Sequence, residues 1–187
     1  MLRNRKPNRM KGYDYSQDNL YFVTSCVQDR ICCFGTVANG KMELNEYGKI
    51  AEEQWFWLGK QYPYIVLHEF VVMPNHIHGI IEINRSIVGI NPVGTGRVVV
   101  GTGRDLSLQQ QPIKIKSLSE LMGAYKTTSS KKIHLLECRD RSRPVPTFQW
   151  QRSFHDHIIR DDKSFETISN YILNNPAQWI TDKFYNL

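Results

Sequence analysis

The chain has 187 residues, of which 41% are hydrophobic and 11% aromatic, and this composition suits one compact domain with its own apolar core rather than a disordered chain. Its formal net charge of +6 favours a polyanionic partner and argues against an acidic one. No run of residues reaches the roughly 20 apolar positions of a membrane span, and no apolar signal segment follows the charged start, so we expect a cytoplasmic protein with no membrane partner.

The chain opens with a basic arm over residues 1–11. It carries lysines and arginines and no acidic residue, which is typical either of a segment that binds phosphate groups or of a solvated tail. The basic side chains that we select there as candidate phosphate contacts are Arg3, Arg5, Lys6 and Arg9.

The first half of the chain predicts three strands and one helix. Leu20 to Cys26 has the composition of a strand, and apolar residues then recur at helical spacing as far as Tyr62, behind Asn45 as a candidate N-cap. Residues 65–73 and 76–83 are rich in β-branched side chains and are separated by a Pro-Asn turn signal, so they should form a hairpin.

Two histidines lie on the second strand of this hairpin. His76 and His78 flank Ile77, and because successive side chains of a strand point to opposite faces, both imidazoles should leave the same face of the sheet. Neutral imidazoles are common ligands of divalent transition metals, so the pair would supply half of a metal site. A solvated pair of polar residues on a strand face is the alternative.

The second half of the chain begins with an interruption at about 84–116. This segment contains glycines and a doubled Val-Gly-Thr-Gly-Arg, but it lacks the Gly-Lys-Ser/Thr ending of a P-loop, and we interpret it as a flexible insertion. Apolar spacing then predicts a helix from Leu118 to Leu136, alternation predicts a strand from Phe148 to Ile159, and a last helix follows over 161–175.

Taken in chain order, these elements run βαββαβ plus a terminal helix. That order matches the ferredoxin-like plan, an α+β fold in which an antiparallel sheet carries its helices on one face. We therefore expect residues 1–187 to form a single domain whose other sheet face is free for a ligand and lies within reach of the terminal helix.

The terminal helix places Tyr171 and Asn175 one turn apart on a shared face. The amide oxygen of Asn175 could serve as a third ligand beside the two histidines, and Tyr171 would then stand next to a bound phosphate as a nucleophile. The alternatives are structural, because Asn175-Pro176 also suits the cap of a new helix and Tyr171 also suits the edge of a core.

Other residues compete for both roles. Tyr125 lies on the apolar stripe of the preceding helix and is the second candidate nucleophile. His155 and His157 alternate along the last predicted strand and form a second candidate metal pair, or could supplement the first pair if the two strands are neighbours.

Five ordered segments make a known family recognisable: Gly12–Ser16, Tyr21–Thr24, Val72–Gly79, Trp150–Arg160 and Tyr171–Pro176. Over most of its length the chain resembles the REP-associated tyrosine transposases, a branch of the single-tyrosine HUH transposases, which are named for a His-hydrophobe-His motif. The resemblance implies a ferredoxin-like HUH domain that binds hairpin-forming single-stranded DNA, cuts it through a 5′-phosphotyrosine intermediate and rejoins it.

The resemblance also implies roles for residues. His76 and His78 match the HUH ligands, Tyr171 matches the nucleophile, and Asn175 matches the third ligand position of a divalent metal, for which we expect Mg²⁺ or Mn²⁺. Lys126, Arg152 and the basic arm would contact phosphates. The 84–116 insertion departs from the family, the enzyme could be a monomer or a homodimer, and a non-catalytic single-stranded nucleic-acid-binding module of the same fold is the alternative function.

Overall fold

A four-stranded antiparallel sheet forms the centre of the molecule in the computed structural model, which describes residues 10–89, 113–139 and 147–185. The elements run, in chain order, β1 (Asn19–Cys26), β2 (Gly35–Ala38), β3 (Lys41–Leu44), α1 (Glu46–Gln61), β4 (Ile65–Met73), β5 (His76–Ile83), α2 (Leu118–Arg139), β6 (His155–Ile159) and α3 (Asp162–Asn174). Short 3₁₀ turns over Arg85–Val88 and Pro176–Thr181 follow β5 and α3.

The strand order of the sheet is β4-β5-β1-β6, with β1 antiparallel to both β5 and β6. The order results from two β-α-β units whose helices, α1 and α2, cross over the sheet. This is the ferredoxin-like arrangement that the sequence predicts, and the prediction of the α+β fold is confirmed.

One face of the sheet is covered by α1 and α2. The Asn45 side chain caps α1 by accepting a hydrogen bond from the Gly48 amide at 3.0 Å, as the sequence predicts. Behind this cap, Ala51, Trp55 and Leu58 are fully buried on the stripe that faces the sheet and α2. This layer holds the main apolar core.

The opposite face carries α3. Asp161 caps this helix by accepting from the Ser164 amide at 2.8 Å, and Ile172 packs on Ile80 and Ile159 of the sheet. Residues 176–185 continue from α3 across the same face, near the start of β5. This second layer is smaller and positions the polar residues described below.

The predicted strand from Phe148 to Ile159 is too long. Only His155–Ile159 forms β6, and the preceding residues make a single bridge, from Trp150 to Val27. Phe148, Trp150 and Phe154, which are two and four residues apart, are all buried because this irregular segment packs against the α2 layer. Its alternation therefore imitates that of a strand.

The structure also contains a hairpin that the sequence analysis does not predict. Strands β2 and β3 pair through a turn in which Asn39 and Gly40 both have positive φ angles, of 51° and 71°. Asn-Gly is the favoured pair for such a two-residue turn, so this signal was present in the sequence.

Some predictions concern residues outside the described ranges. Arg3, Arg5, Lys6 and Arg9 of the basic arm lie there, and so does the central part of the predicted insertion, residues 90–112. Among the helices within the described ranges, none combines the length and the apolar character that crossing a membrane requires.

Candidate active site

The two histidines of the hairpin lie side by side on the α3 face of the sheet. His76 and His78 are paired in register with Cys26 and Thr24 of β1, and both imidazoles are almost completely buried. Their Nε2 atoms are 3.0 Å apart. Two nitrogens that each lie about 2.1 Å from one cation, at right angles, have a separation of about 3 Å.

The orientation of His76 is determined by the neighbouring amide of Asn75. The Asn75 Nδ2 group donates to the carbonyl oxygens of Phe184, at 2.8 Å, and Arg30, at 3.2 Å. Its Oδ1 atom therefore faces His76 Nδ1, at 2.8 Å, and must accept the ring proton there. The lone pair of His76 is left on Nε2, which points at His78.

His78 is held in the same way from the next strand. Its Nδ1 atom is 2.8 Å from the Thr24 hydroxyl, which anchors the ring and leaves Nε2 directed at His76. Burial lowers the pKa of His76 to about 3, with Lys183 and Arg30 adding to the effect. Burial, and then the neighbouring His76, holds the pKa of His78 well below its usual range. Both rings are thus neutral, the form that binds a metal.

Helix α3 brings Tyr171 to this pair. The Tyr171 hydroxyl is 3.2 Å from His78 Nε2 and donates to Asp182 Oδ2, also at 3.2 Å. Partial burial, followed by the negative charge of Asp182, raises the pKa of Tyr171 to about 12. The hydroxyl is therefore protonated at neutral pH, and it lies between an imidazole and a carboxylate.

Asn175 lies one turn beyond Tyr171, fully buried. Its Nδ2 group donates to Asp182 Oδ2 at 3.1 Å, while its Oδ1 atom is buried and has no hydrogen-bond partner within the described ranges. The residue does begin the Pro176–Thr181 turn, but its side chain makes no capping hydrogen bond. A buried acceptor without a partner is costly, by about 1–3 kcal/mol, and an amide oxygen is a suitable cation ligand.

Asp182 is the functional residue that the sequence analysis misses. One ligating atom from each of His76, His78 and Asp182 lies within 4.8 Å of the others, so the three residues could hold a metal ion. Two neutral imidazoles, a carboxylate and the unpaired oxygen of Asn175 together suit a divalent cation. Asp182 is a single acidic residue in a segment without a motif, so nothing local in the sequence distinguishes it.

The residues after α3 also close the site. The Phe184 ring lies 4.6 Å from the His76 ring, the Trp179 ring lies 6.0 Å from it, and the Arg30 guanidinium lies over the Phe184 ring at 5.3 Å. The Phe184 amide donates to Asp182 Oδ1. This cover explains why two imidazoles on a sheet face are almost inaccessible to solvent.

The competing candidates lie elsewhere. Tyr125 is fully buried in the α1–α2 layer, where its hydroxyl donates to the Ala51 carbonyl at 3.1 Å, and burial raises its pKa well above the usual range. His155 and His157 are exposed on the edge strand β6, opposite Thr24 and Phe22. Within the described ranges they belong to no group of ligating side chains.

The two predicted phosphate contacts in the second half of the chain differ. The Lys126 amine donates to the carbonyl oxygens of Gln151, at 2.8 Å, and Ser153, at 3.0 Å, so it braces the segment before β6. Arg152 lies in that segment and is exposed.

Comparison with known proteins gives a relative that matches nearly the whole chain. No protein-family model matches the chain. A protein of Haemophilus influenzae, described only as uncharacterised, is 32% identical over 184 residues, which cover 98% of this chain and 94% of the relative.

Among solved structures, a REP-associated tyrosine transposase bound to a REP hairpin has a TM-score of 0.53 and 16% identity, covering 91% of this chain and 73% of that one. This match shows a shared fold. A candidate transposase from Deinococcus radiodurans has a TM-score of 0.46 and 13% identity, covering 89% of this chain and 95% of that one.

Proposed function

This chain belongs to the same family as the uncharacterised Haemophilus influenzae protein, and we propose that it is a transposase: a metal-dependent single-stranded DNA endonuclease and strand transferase. In this proposal it cuts DNA near hairpin-forming repeats and forms a 5′-phosphotyrosine intermediate on Tyr171. One observation carries the proposal: the Tyr171 hydroxyl lies 3.2 Å from the Nε2 atom of His78. His78 belongs, with His76 and Asp182, to a group that could hold a metal ion.

In this proposal, His76, His78 and Asp182 hold the divalent metal, Mg²⁺ or Mn²⁺, with Asn175 Oδ1 as a further ligand. The bound metal would neutralise charge on a non-bridging phosphate oxygen, which makes a phosphodiester a better electrophile. Asn75 and Thr24 keep the two imidazoles in the orientation that ligation requires.

Tyr171 provides the nucleophilic oxygen. Its attack forms the bond between Oη and phosphorus and breaks the bond to the 3′ oxygen, so that the 5′-phosphate remains on the enzyme and a 3′-hydroxyl is released. In this proposal the phenolic proton passes along the hydrogen bond to Asp182 and on to solvent, and the departing 3′ oxygen takes up a proton from water. A phenolate is a good leaving group, so a DNA 3′-hydroxyl can reverse the step without ATP.

The fold comparison agrees with this proposal, since the transposase that shares the fold is bound to a REP hairpin. The basic composition supports a nucleic-acid partner as well. The same fold and charge would also suit a binding module without catalysis, and the arrangement of His78, Tyr171 and Asp182 is what favours the enzyme.

The test is a covalent adduct assay. The protein and its Tyr171→Phe variant are incubated with single-stranded hairpin DNA from the flanks of the gene, in Mn²⁺ or in EDTA, and run on a denaturing gel. We expect an adduct in Mn²⁺ that is absent in EDTA and in the variant, while DNA binding by the variant persists. An adduct of equal yield in the variant would contradict the role of Tyr171, and binding with no adduct from either protein would favour the binding module.

A further inference from the structure

A cleft of about 680 Å³ lies between α2 and the irregular segment that precedes β6. Its apolar floor is formed by Phe148 and Trp150, and Leu135 forms an exposed apolar rim. Three basic side chains line it, from Lys126, Lys131 and Arg152. Its volume is in the range of about 300–1,000 Å³ that holds small organic ligands, which is large enough for a nucleotide.

The charges of the cleft are of one sign. None of the described residues that line it is acidic. Within the described part of the chain, Lys131 and Arg152 form no ion pair, whereas the adjacent Lys132 points away and pairs with Glu53 of α1 at 3.6 Å. Glu137 lies nearby, but its Oε1 atom accepts a hydrogen bond from the Phe148 amide and so fixes the segment that forms the cleft wall. Among the described residues, Lys131 and Arg152 therefore face the apolar floor without an ion-pair partner.

The shape of the cleft is maintained from both sides. Lys126 binds the carbonyl oxygens of Gln151 and Ser153, and His134 Nε2 donates to the Phe148 carbonyl at 2.8 Å. Since these two side chains are committed to the wall, they act as positioning residues. This leaves Lys131 and Arg152 to meet a ligand.

The cleft adjoins the catalytic end of the sheet. The Gln151 amide donates to the Cys26 carbonyl at 2.9 Å, and the Gln28 amide donates to the Gln149 carbonyl at 2.8 Å. Cys26 is in turn the β1 partner of His76. With neighbouring strands about 4.8 Å apart, the backbone of the cleft wall is roughly 10 Å from the backbone of the histidine strand. A single strand of a few nucleotides that passes around the β6 edge of the sheet would connect the cleft with the α3 face.

From this geometry we propose that the cleft binds an unpaired stretch of the DNA substrate, with its phosphates on Lys131 and Arg152 and a base against the apolar floor. Cations that alternate with apolar or aromatic surface are the features by which proteins hold single strands. The inference rests on the proposed function and assigns to the same substrate a second contact surface, outside the metal centre.

The experiment compares a matched pair of neutralisations on α2, at Lys131 and Lys132, with a third at Arg152 in the segment before β6. Binding of a labelled oligodeoxynucleotide of about 16 nucleotides, the upper end of single-strand site sizes, is measured by fluorescence anisotropy in EDTA. Under these conditions neither metal nor cleavage contributes. Lys131→Gln and Arg152→Gln are compared with Lys132→Gln, and circular dichroism checks that each variant is folded.

We expect Lys131→Gln and Arg152→Gln each to raise the Kd about threefold to tenfold and to reduce the slope of log K against log salt by about 0.7. Lys132→Gln should leave the Kd within about twofold, because its charge is paired with Glu53. Equal losses in Lys131→Gln and Lys132→Gln would overturn the proposal by indicating a diffuse charge effect, and so would unchanged binding in both cleft variants. Tighter binding of RNA of the same sequence, with the same dependence on the cleft, would overturn the choice of DNA.

The outcome is separable from that of the proposed function. If the cleft variants lose affinity but no protein forms an adduct, the cleft stands and the nuclease fails. If the wild-type protein forms a metal-dependent adduct while the cleft variants bind DNA normally, the nuclease stands and the cleft fails.

Discussion

The two faces of the central sheet each carry a helix with a tyrosine, and the two tyrosines have opposite environments. Tyr125 of α2 is fully buried among aromatic rings and donates to a backbone carbonyl. Tyr171 of α3 is partly buried and touches the His78 imidazole and the Asp182 carboxylate. A hydroxyl bound to a carbonyl completes a core, whereas one between an imidazole and a carboxylate can take part in chemistry.

The difference arises from the alternation of the strands. On β5, Ile77 and Ile81 point into the α1–α2 layer, while His76 and His78 point to the α3 side. The same strand therefore stabilises the fold with one face and builds the site with the other. Substitutions on the two faces should separate stability from metal binding.

The largest expected effect is on metal binding by the α3 face. His76→Gln removes a neutral imidazole from the group of His76, His78 and Asp182, and we expect its Mn²⁺ affinity to fall at least about 100-fold, more than the loss of an outer partner causes. Electron paramagnetic resonance of free Mn²⁺ measures this directly. The matched control is His155→Gln, on the exposed edge strand, which should bind Mn²⁺ normally. The reverse result would move the metal centre to β6.

The burial of His76 should also make the unfolding free energy fall as the pH is lowered. The pKa of His76 is about 3 in the folded protein and about 6.5 when unfolded. Between these values the unfolded chain takes up a proton that the folded chain does not. The stabilisation is thus complete above about pH 6.5 and declines as the pH falls towards 3, by at most about 1.4 kcal/mol per pH unit.

Denaturant unfolding in EDTA tests this between about pH 6.5 and 5, above the range in which ordinary carboxyl groups titrate. The unfolding free energy of the wild-type protein should fall more steeply than that of His76→Gln. An unfolding free energy that falls as steeply in His76→Gln as in the wild-type protein would contradict the burial argument.

A smaller effect should follow from Thr24→Val, which preserves shape but removes the hydroxyl that holds His78 Nδ1. We expect Mn²⁺ affinity to fall about tenfold, as for other partners of metal-binding imidazoles. The control is Ser25→Ala, at the next residue of β1, whose side chain points to the other face. The buried Ser25 hydroxyl has no hydrogen-bond partner within the described ranges, so its removal breaks no hydrogen bond seen there. Titration of Ser25→Ala with Mn²⁺ should give the wild-type affinity, and an equal loss in both variants would indicate a general disturbance of β1.

The smallest effect is expected on the helix-covered face. Tyr125→Phe removes one buried hydrogen bond to Ala51 and should lower the unfolding free energy by about 1 kcal/mol, as measured by urea denaturation. Adduct formation should not change. A Tyr125→Phe protein that is stable but forms no adduct would reverse the contrast between the two tyrosines.

Much of this architecture could be predicted from local signals in the sequence. The helix behind the Asn45 cap, the last helix and the hairpin around Pro74-Asn75 lie close to their predicted positions, because caps, turns and periodicity act over a few residues. The His76–Ile77–His78 alternation likewise predicted that both rings share a face.

What could not be predicted depends on distant contacts. Asp182 joins the site through its hydrogen bonds with Tyr171 and Asn175 and its closeness to the two histidines in the folded chain. The segment from Phe148 to Phe154 alternates as a strand would, yet it follows the shape of α2 rather than a neighbouring strand. In both cases the structure depends on residues that are distant in the sequence, and the local sequence does not reveal them.

The central claim is that Tyr171 joins the DNA, and peptide mapping of the adduct tests it most directly. The protein is incubated with single-stranded hairpin DNA and Mn²⁺, the DNA is digested to a short remnant, and the modified peptide is sequenced by mass spectrometry. Our account predicts a nucleotide remnant on the peptide that contains Tyr171, attached through its 5′-phosphate. A remnant on Tyr125, or on any residue other than Tyr171, would contradict it.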